Sequence, residues 1–278
     1  LNMKRSIKIT LKKIFEFFGY SIKKIYPDKV FQFPRDFFPI EMSEIQKKII
    51  RDSEIYSMTG RIRMSLLIKI IEYLKKQDIE GDIVECGVWK GGNLICAQAY
   101  LNYLNLKKNI IGYDTFEGMT KASEHDVQEI QVKSKDQNNL GSILRKRIAS
   151  ETMSVTDKHI NEGKNIWAYS SIKEVKHNIK AKVPNNNIKL IKGPVEKTLL
   201  VQDNLPEKIS LLRLDTDFYD STKIELEILF PRLIKGGFLI IDDYGHWKGS
   251  RKAVDGYFNK KMPFVHFVDE TCRLIIKN

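Results

Sequence analysis

The sequence predicts an α/β fold built on an open, mostly parallel sheet, and three features carry that expectation. Two apolar runs, Ile209–Leu214 and Phe238–Ile241, each end in acids, Asp215 and Asp217 after the first and Asp242 and Asp243 after the second. Between them Ser221–Ile234 is amphipathic and closed by Gly236-Gly237, which reads as a crossover helix. Upstream, Ile83–Cys86 runs into a glycine-rich turn and the apolar stretch Leu94–Leu104, again strand, turn and helix. In such a sheet the ligand crevice lies beyond the carboxyl ends of the strands. Neighbouring parallel strands are about 4.8 Å apart, so Asp215, Asp242 and Asp243 are expected to meet. Clustered carboxylates raise one another's pKa unless a cation joins them. A hard divalent ion with oxygen ligands, Mg²⁺, would relieve that repulsion. An Asp after a strand is also ordinary turn chemistry. Paired acids at two strand ends favour the metal site, because unpaired buried charge is costly.

The remaining elements follow in chain order. In residues 3–25, Ile7, Leu11, Ile14, Phe15 and Phe18 recur at helical spacing, with Lys4, Arg5, Lys8, Lys12 and Lys13 off the stripe. This basic amphipathic extension fits packing on the main domain or on a second subunit, or peripheral contact with an anionic membrane. Pro27, Pro34 and Pro39 mark residues 26–40 as an extended linker. Residues 41–278 read as one domain. Met42–Arg51 and Thr59–Lys76 are expected helices, the second with Ile62, Leu66, Ile70 and Leu74 on one face and Thr59 as its N-cap. The turn after Ile83–Cys86 is neither the dinucleotide nor the phosphate-loop pattern. With Glu85 before Gly87, and Gly91-Gly92-Asn93 before the helix, it suits a nucleoside ligand without a phosphate. Asn109–Tyr113 is the second strand, and Asp114 at its end is placed to accept ribose hydroxyls. Residues 117–165 are polar and poorly periodic, with Ile143–Ile148 read as helical, and are expected to form an active-site lid. Ser171–Ile179 is a helix, Ile188–Ile191 a strand and Ser250–Asn259 a helix. Val265–Val268 and Arg273–Lys277 form a closing hairpin.

Composition narrows the function. The chain has 278 residues, 42% of them apolar, enough for one large domain plus an extension. It has no run of eighteen apolar residues, so no membrane-spanning helix is expected, and neither is a cleavable signal. Cys86, Cys96 and Cys272 lie in apolar surroundings without ligand spacing, as buried thiols of a cytoplasmic protein would. The net charge of +12 admits nucleic acid, an anionic membrane or anionic substrates as partners. The lysines are scattered and no nucleic-acid-binding signature is present, so no nucleic acid partner is expected.

The motifs GDIVECGVWKGG, YDTFEGM, LLRLDTDFYDST and GGFLIIDDYGHWKGSRKAVDGYF together resemble the macrocin O-methyltransferase (TylF-type) family. These are class I S-adenosylmethionine-dependent enzymes that methylate sugar hydroxyls. The resemblance runs from about Thr59 to the C-terminus. It implies a Rossmann-like, seven-stranded sheet with helices on both faces, and a homodimer. It implies that Thr59, Glu85, Gly87, Gly91 and Asn93 lie at the S-adenosylmethionine site, with Asp114 on the ribose. Asn93 stands where Ser is frequent in such motifs. It also implies Mg²⁺ on Asp215, Asp242 and Asp243, in agreement with the reading from the residues. The expected reaction is Mg²⁺-dependent methylation of a sugar hydroxyl on a glycan or glycosylated natural product. Asp215, Asp217 and His246 are the candidates to remove the proton. Asp217 alternates with Asp215 and is expected to face away from the metal. Trp247 and Tyr219 are candidate platforms for a sugar ring. The alternatives are an RNA-modifying or nucleic-acid-binding methyltransferase, a non-catalytic membrane-associated protein and an amine methyltransferase.

Overall fold

The computed structural model describes residues 37–133, 142–148 and 168–278. The basic segment 3–25 and most of the linker that follows lie outside them. A compact unit spans Phe38–Asn278. Its elements are α1 (Glu44–Glu54), α2 (Arg61–Lys76), β1 (Asp82–Cys86), α3 (Gly92–Tyr103), β2 (Ile110–Asp114), β3 (Val127–Lys133) and β4 (Ser142–Ile148). Then come α4 (Ile172–Lys182), β5 (Ile188–Lys192), α5 (Val195–Thr198), β6 (Ile209–Leu214), α6 (Tyr219–Leu229), β7 (Leu233–Ile241), α7 (Lys248–Phe258), β8 (His266–Phe267) and β9 (Arg273–Ile276).

Seven strands form one sheet in the order β5-β2-β1-β6-β7-β9-β8, with β3 and β4 a separate antiparallel pair. The first five are parallel, and β9 runs antiparallel to both β7 and β8. Strand alternation divides the apolar side chains between two cores. Ile83, Leu211, Phe238 and Ile240 pack with α1, α2, α3 and α4 on one face. Val84, Cys86, Leu212, Leu214, Leu239 and Ile241 pack with Val195, Leu226, Leu229 and Val254 on the other. The same alternation turns Glu85 and Arg213 toward the first face, and they are register partners on adjacent strands. All three cysteines are buried free thiols. No helix of the described residues is long and apolar enough to cross a membrane.

Four expectations need correction. The crossover helix does not reach Ile234. It ends at Leu229 and gives way to a tight turn at Phe230–Arg232, because Pro231 has no N–H to continue the ladder. Gly236-Gly237 then lies inside β7, within a bulge where Ile209 pairs with Leu233 but Leu211 with Phe238. Residues 143–148 are a strand, because Val127–Lys133 supplies a pairing partner that local periodicity cannot reveal. Thr59 is not the cap of α2; Gly60 occupies that position without a side-chain hydrogen bond.

The sheet changes direction of winding between β1 and β6, the place where an open α/β sheet forms its crevice. Gly87, with φ +87°, carries the chain away from β1 there, and a Cβ on it would stand 1.9 Å from the Asp215 carbonyl oxygen. Gly87→Ala therefore forces apart the two strand ends that hold the site. A loss of at least ~3 kcal/mol is expected, read as a fall of roughly 6–12 °C in the melting midpoint. An unchanged midpoint would show that the two ends are not so tightly apposed.

Candidate active site

Asp215, Asp242 and Asp243 come together where β6 and β7 end side by side, and one carboxylate oxygen from each lies within 4.8 Å of the others. Asp242 and Asp243 are buried and Asp215 is partly open. Asp243 Oδ2 is a buried oxygen with no partner among the described residues. Burial, and then the neighbouring acids, push the Asp215 and Asp243 carboxyl groups well above the usual carboxylate range. Three oxygen donors and surplus negative charge fit a hard divalent cation such as Mg²⁺.

Asp217 joins this cluster rather than facing away. Strand alternation stops at Leu214, and Asp217 takes a left-handed φ of +66° that redirects its side chain. It accepts the Trp247 indole N–H at 3.1 Å and shares a hydrogen bond with Asp243. Burial, and then Asp215, push its carboxyl group up to about 7. His246 sits on the same rim, its Nε2 2.9 Å from the Gln128 side-chain amide. Burial, and then the Arg63 charge, lower its pKa and leave a neutral imidazole at neutral pH.

Trp247 is not a sugar platform. It is buried edge-on to Phe218 and stacked on His246, with its N–H committed to Asp217. Tyr219 packs edge-on to His125.

Arg213, unremarked in the sequence reading, is the cation at the centre. It is buried on β6 and ion-paired to Glu85 at 2.6 Å, Asp215 at 2.7 Å and Asp242 at 2.6 Å. It also donates to Thr59 Oγ1 at 2.9 Å. Arg63 of α2 adds a second cation. It pairs with Asp242, holds Asp269 at 2.6 Å and donates to Thr271 Oγ1 at 2.6 Å. Two guanidinium groups thus face six acids, namely Glu85, Asp215, Asp217, Asp242, Asp243 and Asp269. A further cation would let more of these acids ionise together. The one signal for Arg213 in the sequence is a lone charge inside the apolar run Leu211–Leu214.

The glycine turn lies against this network. Glu85 Oε1 accepts from Arg213 and, at 3.0 Å, from Asn93 Nδ2, which also donates to Thr59 Oγ1 at 3.1 Å. Thr59, Glu85 and Asn93 are therefore brought together, though as a buried polar link rather than an open ligand surface. Gly91 caps α3 in a left-handed conformation with φ +91°. Asp114, at the end of β2, accepts the Val88 and Trp89 amides on Oδ2 at 2.7 and 3.0 Å and the Phe116 amide on Oδ1 at 2.6 Å. These bonds fix its carboxylate beside the turn after β1.

A seven-stranded sheet of this order, with its polar site beyond the ends of β1, β2, β6 and β7, defines a class I methyltransferase. The macrocin O-methyltransferase (TylF) family profile matches residues 47–159 and 152–273. The chain belongs to that family and is an S-adenosylmethionine-dependent O-methyltransferase. It is similar to the 8-demethyl-8-(2,3-dimethoxy-alpha-L-rhamnosyl)-tetracenomycin-C 4'-O-methyltransferase of Streptomyces olivaceus, with 28% identity over 209 residues, 74% of this chain and 68% of that enzyme. Mycinamicin III 3''-O-methyltransferase of Micromonospora griseorubida is 24% identical over 190 residues, 68% of this chain and 65% of that enzyme. Among solved structures, the O-methyltransferase NovP shares the fold with a TM-score of 0.62 and 22% identity, covering 80% of this chain and 82% of that one.

The raised acids make stability depend on pH and metal. Glu85 and Asp217 are both pushed up to about 7, so the folded state holds protons that the unfolded state has already released. Stability of the metal-free protein should fall as pH rises from the ordinary carboxylate range through about 7. A divalent cation held by these acids would need them ionised, so its stabilisation should grow over the same window. Mg²⁺ at about 100 times its Kd should raise the melting midpoint by roughly 5–10 °C near pH 8 and far less near pH 5. An Mg²⁺ effect of equal size at both pH values would contradict the assignment.

Proposed function

We propose that this enzyme moves the methyl group of S-adenosylmethionine to a sugar hydroxyl, with Mg²⁺ held by Asp215, Asp242 and Asp243. The observation that carries the reading is the convergence of those three acids beside the turn anchored by Asp114. A sugar-directed relative supports the acceptor class: the tetracenomycin enzyme's name describes 4'-O-methylation of a rhamnosyl compound.

Methyl transfer from a sulfonium is an in-line displacement, and a sugar hydroxyl is a weak nucleophile. A divalent cation on the three acids supplies a Lewis acid that lowers the hydroxyl pKa and orients its oxygen. Asp217 is the residue to take the proton. In the metal-free protein burial and Asp215 push its carboxyl group up to about 7, and the Trp247 indole N–H holds it beside Asp243. His246, neutral and on the rim, is placed to hydrogen-bond the acceptor or to receive the proton next. Asp114 takes the ribose hydroxyls, while Gly87 and Gly91 let the turn approach the nucleoside closely. Gln128, in β3, meets His246, which supports reading the segment up to Lys133 as a cover over the acids, while residues 134–141 and 149–165 of the expected lid lie outside the described residues. Such a cover would exclude water from the transferring methyl group.

Asp114→Ala should weaken S-adenosylmethionine binding by about 100-fold, the loss of two hydroxyl bonds to a charged acceptor at ~1.5 kcal/mol each. Asp215→Asn should retain that affinity within about threefold and lose at least ~100-fold in turnover, as expected when a metal's charge stabilisation is removed. Calorimetric titration together with methyl-transfer assays reads both. Unchanged cofactor affinity in the first variant, or normal turnover in the second, would sink the corresponding role.

A further inference from the structure

An open groove of about 630 Å³ lies between α7 and the segment leading into β3. Its charged lining is Lys248, Arg251, Lys252 and Asp255 from α7, with Glu124 and His125 from the segment before β3. Asp255 is already engaged by the Tyr244 hydroxyl at 2.8 Å. Lys252 Nζ stands 3.2 Å from both ring nitrogens of His125 and 5.4 Å over the Tyr219 ring. Arg251 has no carboxylate within ion-pair distance among the described residues. Three cations are thus gathered on one wall of a space large enough for a ligand group.

The position of that wall follows from the chain. The Trp247 amide bonds the Asp243 carbonyl at 3.0 Å, and Arg251 lies one helical turn further on. At ~1.5 Å per residue the cations run along α7 from Lys248, next to Trp247, to Lys252, about 7.5 Å beyond Trp247. Glycine at 249 keeps this wall close, because a Cβ there would stand 1.8 Å from Asp126 Oδ1. A neutral hydroxyl group belongs at the acids, and an anion belongs at the cations. A molecule carrying both is oriented by the opposite fields.

We propose that this basic cavity holds a phosphate or diphosphate group of the acceptor, so that the sugar is methylated while phosphate-linked. The inference rests on the reading of Asp215, Asp242 and Asp243 as the acceptor centre and names the chemistry of the acceptor's other end. The planar fork of Arg251 suits phosphate oxygens, with Lys248 and Lys252 adding charge.

The test is calorimetric titration of pyrophosphate into the full chain without added metal. It compares the wild type with Arg251→Gln/Lys252→Gln and with a control, Lys260→Gln/Lys261→Gln, which loses the same charge outside the cavity. The expected result is saturable binding weakened at least tenfold in the cavity variant and unchanged within about twofold in the control. S-adenosylmethionine affinity should be the same in all three proteins, which reports their folding and separates this test from the methyl-transfer reading. Uridine diphosphate and farnesyl diphosphate form the second arm. Tighter binding of the former than of pyrophosphate marks a nucleotide-linked sugar, and tighter binding of the latter a lipid-linked one. No pyrophosphate binding, equal binding in the cavity variant, or an equal loss in the control would overturn the proposal.

Discussion

The buried ionic contact of Arg213 with Glu85, Asp215 and Asp242 is the constraint on which the rest of the site depends. It joins the end of β1 to the ends of β6 and β7, and through Thr59 it reaches the segment before α2. A charge so deep in the sheet would be prohibitive alone, since desolvating a single ion costs several kcal/mol even after relaxation. Here each partner offsets the burial of the others, and Asn93 and Thr59 satisfy part of the remaining hydrogen-bonding capacity. Removing Arg213 would leave Glu85 and Asp215 without a cation, whereas Asp242 would keep Arg63. The network therefore fixes the distance between the cofactor turn and the acid cluster. Transfer between two bound molecules is governed by such a distance, because reacting atoms must be held within near-attack range.

The second consequence is electrostatic. Arg213 and Arg63 neutralise the inner side of the cluster, toward α2 and β1, and leave the outer side negative. The acids are thus ranked by position. Asp242 is clamped by both arginines, whereas burial pushes Asp215 and Asp243 well above the usual carboxylate range and Asp217 up to about 7. Related side chains at two adjacent strand ends acquire different tasks from their surroundings alone. Under the proposed function, ligation would fall to Asp215, Asp242 and Asp243, and proton removal to Asp217.

Much of this was legible in the sequence, and the parts that were not share a cause. The strands β1, β2, β5, β6 and β7 announced themselves as short apolar runs, and the acids after them followed from where such strands end. Asp217 was misjudged because alternation was carried past Leu214 into a left-handed turn. Arg213 was passed over because a lone charge inside an apolar run has meaning only once the facing residue on the next strand is known, and that residue is Glu85. Residues 143–148 became a strand for the same reason, since their pairing partner lies across a loop. The end of the crossover helix, by contrast, was readable: Pro231 marks it. Local pattern thus yielded the elements and the crevice, while contacts between distant segments decided the internal wiring of the site.

The central claim is that the acid cluster is completed by a divalent cation set against the Arg213 network. Anomalous diffraction from crystals of the full chain soaked in Mn²⁺ tests it most directly. The account predicts one strong peak within bonding distance of Asp215, Asp242 and Asp243, about 2.0–2.2 Å from oxygen as for hard ions of this kind, with Arg213 still paired to Glu85. A cluster without a peak at saturating metal, or a peak elsewhere with Arg213 alone bridging the acids, would contradict it.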